Sequence, residues 1–322
     1  MSFFGGGTDI AEYYKEHKGA VISTTFDKYC YVNVRHLPRF FEYSTELSYA
    51  KIERVKDRRE IEHPLVREAM NMLDMREIRL TYEADLPARS GLGTSSSFAV
   101  GTLNAFYALK GKYADKKKLA DQAIYLEREL CMEKGGSQDQ IAAAFGGLNR
   151  IDFYADGYSV NPIIISPDRK IALNRKLLLF FTGFSRFSSD IQQDTVKSIK
   201  EQTNKMHEIY QIVDEAEKIL TSKSNLREFG KLLDDAWKLK RGISSGISTS
   251  VIDEIYCRAQ RAGALGGKLL GAGGGGFLLL YVEEERQEAV KAELNDLMYV
   301  PFQFENEGTR VIHYSPETFE ML

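Results

Sequence analysis

The sequence predicts an α+β fold in two lobes, and three observations carry that expectation. Helical and strand-like segments alternate without a strict βαβα rhythm. The 322 residues exceed the roughly 100–200 of a usual single domain. The texture also changes near residue 177, where KLLLFFTG, a continuous apolar run, reads as a strand buried on both faces. The lobe boundary therefore falls between residues 155 and 178, with no Pro/Gly cluster to mark it.

In the first lobe, residues 20–35, 40–53 and 77–84 are rich in β-branched and aromatic types and read as strands. A short helix is expected from His63-Pro64 to Leu73. After Pro87 a Gly/Ser/Thr turn leads into FAVGTLNAFYAL, which has helical character. A second helix starts near Asp115, with Leu119, Ala123, Leu126 and Leu130 on one stripe, and Gly135-Gly136 end it. A short helix from Gln138 to Phe145 stops at Gly146-Gly147, and β-like segments follow at 148–153 and 159–166.

In the second lobe, helical segments are expected at about 189–221, 225–241 and 248–262. Then come the glycine loop GAGGGG, the apolar strand FLLLYV, and a charged helix presenting Val290, Leu294, Leu297 and Met298 on one face. A last strand is expected near 309–314.

Composition narrows the function. Apolar residues make up 43% and charged residues 28%, enough for a packed core. Lys and Arg total 43 against 46 Asp and Glu, a net charge of -3, which excludes a broad electrostatic grip on nucleic acid. Cys30, Cys131 and Cys257 cannot make a disulfide framework and suit a reducing compartment. No apolar run approaches the ~20 residues of a membrane span, and the first residues lack the marks of a signal peptide. A cytoplasmic enzyme without membrane partners is expected.

Three glycine-rich segments stand out. In Pro87-Ala-Arg-Ser-Gly91-Leu92-Gly93-Thr94-Ser95-Ser96-Ser97, glycines allow close backbone approach and a helix amino end follows directly. Such a junction suits phosphate, and its hydroxyls can reach a magnesium ion. A surface turn with Ser/Thr caps explains the same residues. The second segment, Leu270 to Gly276, contains G-x-G-x-x-G but leads into a strand, whereas the dinucleotide fingerprint opens a helix. It is either a loop that closes on a ligand or a flexible hairpin. The third, Gly5-Gly6-Gly7-Thr8-Asp9, is weak alone and compatible with a frayed terminus. No Walker A sequence and no protein-kinase signature occurs.

Two acidic residues flank the Gly135-Gly136 break. Glu127 lies at the edge of a buried helical face, where a carboxylate needs an arginine, a helix terminus or a cation. Asp139 opens the next helix, either as a cap or as a catalytic group. The five histidines are scattered without ligand spacing, which speaks against zinc.

Taken in order, these motifs resemble the GHMP small-molecule kinases. The family's phosphate loop, P-x-x-x-G-L-G-[ST]-S, is matched from Pro87 to Ser95, and its C-terminal glycine motif from Leu270 to Gly276. GGGTD, GGSQDQIAAAFGGLN and FTGFSR are most similar to the D-glycero-D-manno-heptose 7-phosphate kinase group, with fucokinase-like sugar kinases next. The resemblance implies an ATP-binding domain over residues 1–172 and a C-terminal domain over 173–322, with both substrates in the cleft. It implies ATP-dependent phosphorylation of the anomeric hydroxyl of a heptose 7-phosphate, for nucleotide-activated heptose and surface polysaccharide.

By the same resemblance, Pro87 and Gly91 to Ser96 wrap the ATP phosphates, and Ser95 and Glu127 hold Mg2+. Asp139 faces the acceptor hydroxyl. Gly7, Thr8 and Asp9 bind the sugar, and Gly273, Gly274 and Gly275 close over the transferring phosphate. Arg186, Arg89 and Lys268 are candidates to clamp the acceptor's own phosphate. The family also implies a strand before the first glycine motif bearing a basic residue near the catalytic aspartate, and Met1-Ser-Phe-Phe offers none. A free-sugar anomeric kinase and a catalytically silent binding relative remain the alternatives, and the oligomeric state stays open, a homodimer included.

Overall fold

The computed structural model describes residues 1–88, 91–183, 198 and 202–315. Three four-stranded sheets and ten helices make up the described fold. The first sheet is antiparallel, in the order β1 (Ser2–Phe4), β2 (Gly19–Ser23), β8 (Asn149–Tyr154), β9 (Gly157–Pro162). The second runs β4 (Cys30–His36), β7 (Ile78–Ala84), β5 (Thr45–Ser48), β6 (Ile52–Val55), with β5 and β7 parallel. The third runs β11 (Ala264–Leu269), β12 (Phe277–Val282), β10 (Leu177–Phe181), β13 (Met298–Tyr299). A two-residue ladder joins β3 (Thr25–Phe26) to β14 (Phe304–Glu305), so the last strand returns to the first lobe.

The helices are α1 (Ala11–His17), α2 (Pro64–Met72), α3 (Thr94–Leu109), α4 (Lys116–Tyr125), α5 (Gln138–Phe145) and α6 (Pro167–Arg175). Beyond them lie α7 (Thr203–Thr221), α8 (Arg227–Arg241), α9 (Ser250–Ala262) and α10 (Gln287–Glu293). None of the described helices is long and apolar enough to cross a membrane.

Side-chain alternation explains how the layers meet. In a strand, neighbours point to opposite faces. Val21, Ile151 and Phe153 enter the core shared with α2 to α5, while Ala20 and Ile22 enter a second core shared with α7 and α8. The first sheet is thus buried on both sides. The third sheet repeats the arrangement: Leu177 and Leu179 join that second core, and Leu178 and Phe180 join a third with α9 and α10. The expectation for KLLLFFTG holds, since β10 lies between β12 and β13.

Several expectations are corrected. The amino-terminal glycine segment is not frayed, because β1 pairs with β2 and buries Phe3 and Phe4 against Phe229. Residues 309–314 form no strand, and the final pairing is made by β14 instead. Met298 leaves the helical face and lies exposed in β13, although Val290 and Leu294 are buried as expected. α6 was not anticipated, yet Ser166 caps it and Pro167 opens it. The α4 stripe continues past Tyr125, but as a π-helical turn over Leu126–Leu130, and ends five residues before Gly135.

Candidate active site

α3 points its amino end at the space between the lobes. Its N-cap is Gly93, left-handed at φ 71°, and no side chain caps the first turn. The free amides of that turn face outward with the positive end of the helix dipole. Gly91, at φ 80°, brings the loop against the second glycine segment. A Cβ there would lie 2.5 Å from the Leu270 carbonyl, and one on Gly271 would lie 2.4 Å from the Gly91 Cα. Only glycines permit this backbone contact. The GAGGGG segment is the β11–β12 hairpin connection, and its geometry is set: the Gly274 amide donates to Ile247, and that of Gly276 donates to Gly183.

The hydroxyls of Ser95 and Ser96 donate to the two carboxylate oxygens of Glu127, at 2.9 and 2.8 Å. The Gln140 amide donates to the same carboxylate. Glu127 is 1% exposed and sits on the π-helical turn, whose extra residue rotates it toward α3. All its hydrogen-bond partners among the described residues are neutral. The arginine expected as its structural partner is elsewhere: Arg128 donates to the Lys134 and Gly136 carbonyls. A buried carboxylate without a cation is costly, so this pocket has the chemistry of a cation site. Among the described residues no group of three or more such ligands exists, so phosphate oxygens and water would complete the shell.

Asp139 stands on the first turn of α5, with its carboxylate against the Gly93 backbone. It does not cap its own helix. Asp9 does that from the loop between β1 and α1, accepting from the Gln138 amide at 3.2 Å and the Gly7 amide at 2.9 Å. Burial raises the Asp139 pKa above the ordinary aspartate value; the Met1 amino group opposes the shift, and Asp9 and Glu127 reinforce it. Asp139 also lines a small cavity with Gly6, Gly91, Gln138, Lys240 and Lys268.

The remaining expected residues are placed unequally. Thr8 is fully buried, and its hydroxyl is engaged by the Gly5 and Ala20 carbonyls and the Ala20 amide. It shapes the loop, with its hydroxyl enclosed. Gly7 packs against Met206. Gly273 abuts the backbone of Ile247, where a Cβ would fall within 2.6 Å. Arg89 and Arg186 lie outside the described residues.

Comparison with known proteins decides what this arrangement belongs to. The GHMP kinases N terminal domain matches residues 62–147, and the GHMP kinases C terminal domain matches 216–300. The chain belongs to the GHMP kinases. It is a phosphotransferase of that family. A D-glycero-alpha-D-manno-heptose 7-phosphate kinase from Campylobacter jejuni is 29% identical, with 96% of each chain covered. A crystal structure of a D-glycero-D-manno-heptose 1-phosphate kinase from Bacteroides thetaiotaomicron superposes with a TM-score of 0.78 at 26% identity, covering 96% of this chain and 94% of that one. An L-fucokinase/L-fucose-1-P guanylyltransferase from Bacteroides fragilis is 30% identical over 61% of this chain and 21% of its own length.

Sequence reasoning about this GHMP kinase missed Lys240 and Gln140. Gln140 lies inside the quoted GGSQDQ motif and was legible there as a polar neighbour of Asp139. Lys240 carries no signal, since it sits among Lys238 and Arg241 at a helix end, where basic residues are ordinary.

Proposed function

We propose that this GHMP kinase transfers the γ-phosphoryl group of ATP to the anomeric hydroxyl of D-glycero-D-manno-heptose 7-phosphate, giving the 1,7-bisphosphate. The observation that carries the reading is Asp139 against Gly93, with Glu127 hydrogen-bonded to Ser95 and Ser96 on the same helix end. The α3 amides cradle the triphosphate, as helix amino ends do. Ser95 and Glu127 would hold Mg2+, which neutralises charge developing on the phosphate oxygens when bound. The Asp139 carboxylate takes the proton of the acceptor hydroxyl as that oxygen bonds to the γ-phosphorus. The bond from the γ-phosphorus to the bridging oxygen breaks, and ADP departs with that electron pair. Asp9, itself held by the Gly7 amide, would fix the helix that carries Asp139 beside the acceptor, and Gly273 to Gly275 would form the roof.

The heptose assignment draws on the Campylobacter and Bacteroides relatives, whose names place the acceptor's own phosphate at opposite ends of the sugar. Turnover should therefore be compared across heptose 7-phosphate, heptose 1-phosphate, fucose, galactose and mannose, with the product mapped by phosphorus NMR. A new anomeric phosphate on heptose 7-phosphate, formed far faster than on any uncharged sugar, is the expected result. Preference for fucose would favour the free-sugar reading that the Bacteroides fragilis relative supports. Nucleotide and sugar binding without turnover would identify a silent relative.

A further inference from the structure

The strand that opens the chain carries no basic side chain, yet its backbone is held by one. Lys268, on β11, is 5% exposed, and its ammonium donates to the Phe3 carbonyl at 3.0 Å. Lys240, at the end of α8, donates to the Gly271 carbonyl at 2.9 Å. Neither forms an ion pair with any described residue, so each ammonium uses one of its three donors on a neutral acceptor. Both line the cavity that holds Asp139, Gly91 and Gly271. The two cations repel each other, and the Asp139 carboxylate in the same cavity and Asp9 beside it offset only part of their charge without forming an ion pair with either. Burial lowers the pKa of both, Lys240 lowers that of Lys268 further, and Asp9 and Asp139 oppose the shift in each. A dianionic group entering between them would supply the missing acceptors.

We propose that Lys240 and Lys268 bind the phosphoryl group in transfer, delivering positive charge to it from the C-terminal lobe. The inference rests on the kinase reading above, not on which sugar is the acceptor. The cavity decides between the two phosphates of the reaction. Its walls include both glycine loops and the carboxylate that faces the acceptor oxygen, so an anion there is next to the reacting hydroxyl. A phosphate already carried by the acceptor on a carbon remote from the reacting hydroxyl cannot occupy the same place. Lys268 is thereby reassigned from the acceptor's phosphate to the transferred one.

The binding arm of the test needs no acceptor. Calorimetry with magnesium compares ADP with the β,γ-imido analogue of ATP for the native chain, Lys268→Met and Lys240→Gln. The native protein is expected to prefer the analogue by about tenfold. Each variant should lose that preference while holding ADP within about threefold, and kcat should fall ~10²–10³, as on losing one preorganised donor. Melting curves confirm folding, and the half-buried Lys240 provides a variant that leaves the core intact. Retention of the preference in Lys240→Gln, or equal loss of ADP, overturns the proposal. So does a raised acceptor KM at unchanged kcat, which would return the lysines to the acceptor's own phosphate. Failure of the heptose assignment appears separately, in the substrate comparison with native protein.

Discussion

Asp139 and Lys268 show how burial tunes single residues at this site. Asp139→Asn keeps the shape of the side chain but cannot accept a proton. Turnover is expected to fall ~10²–10⁴, with ATP affinity within a few fold by calorimetry; a near-normal rate would remove Asp139 from the mechanism. Because burial raises its pKa, the base is lost by protonation at a higher pH than an ordinary aspartate near ~4. The acid limb of kcat/KM should therefore lie above that value and vanish in the variant. Lys268 behaves oppositely, its folded pKa lying well below that of an exposed lysine. Below the folded value, the ammonium is charged in both states and its burial penalty is complete. As pH rises toward ~10.4, the folded state sheds the proton while the unfolded chain keeps it, and stability recovers. The melting advantage of Lys268→Met over the native protein should thus shrink between pH 6 and pH 10. A pH-independent difference would mean that the lysine is well solvated.

At the scale of elements, the decisive contact is between two loops. Gly91→Ala meets both a left-handed backbone, at about 1–3 kcal/mol, and the Leu270 carbonyl; Gly271→Ala meets Gly91 itself. Each single variant should melt lower and bind ATP weakly. Because the two substitutions intrude on one contact, their effects should be non-additive by about 0.5–3 kcal/mol in a double-mutant cycle. Additive losses would show that the loops act independently. Local signals made much of this legible. Asp115 caps α4 through the Lys118 amide, and α5 ends at Gly146 where expected. The glycine loops and Glu127 were read from their motifs. What escaped depends on tertiary pairing. β1 and β14 are three and two residues long, too short to show a period, and exist because β2 and β3 pair with them. The π-helical turn is invisible to a stripe of Leu126 and Leu130, which fits either winding. Lys240 reaches the cleft only because α8 ends beside Gly271.

For the molecule as a whole, the shared first sheet matters most. Its outer face supplies Phe3, Phe4, Ala20 and Ile22 to a core completed by Leu220, Phe229, Leu279 and Tyr281. A fragment ending at residue 172 would present that face to water, at about 25 cal/mol per Å² of apolar surface. We expect residues 1–172 alone to lack a cooperative melt and a dispersed amide NMR spectrum. Independent folding of the fragment would instead make the two sequence-defined domains separable units. Phe302, buried against Phe26 and Phe304, ties the end of the chain back to the first lobe. Phe302→Ala should lower stability by about 3–5 kcal/mol in a single denaturation transition, because both lobes lose packing together.

The place where Gly91 rests on Gly271 is made of main chain alone. Glycine is the smallest residue the genetic code offers, so every coding change at either position can only insert a wedge. Neither position can drift and be compensated by trimming a neighbour, because no neighbouring side chain is there to trim. The spacing between the two glycine loops is therefore fixed by missing atoms, and a lineage that lost either one would have to restore it to keep the contact.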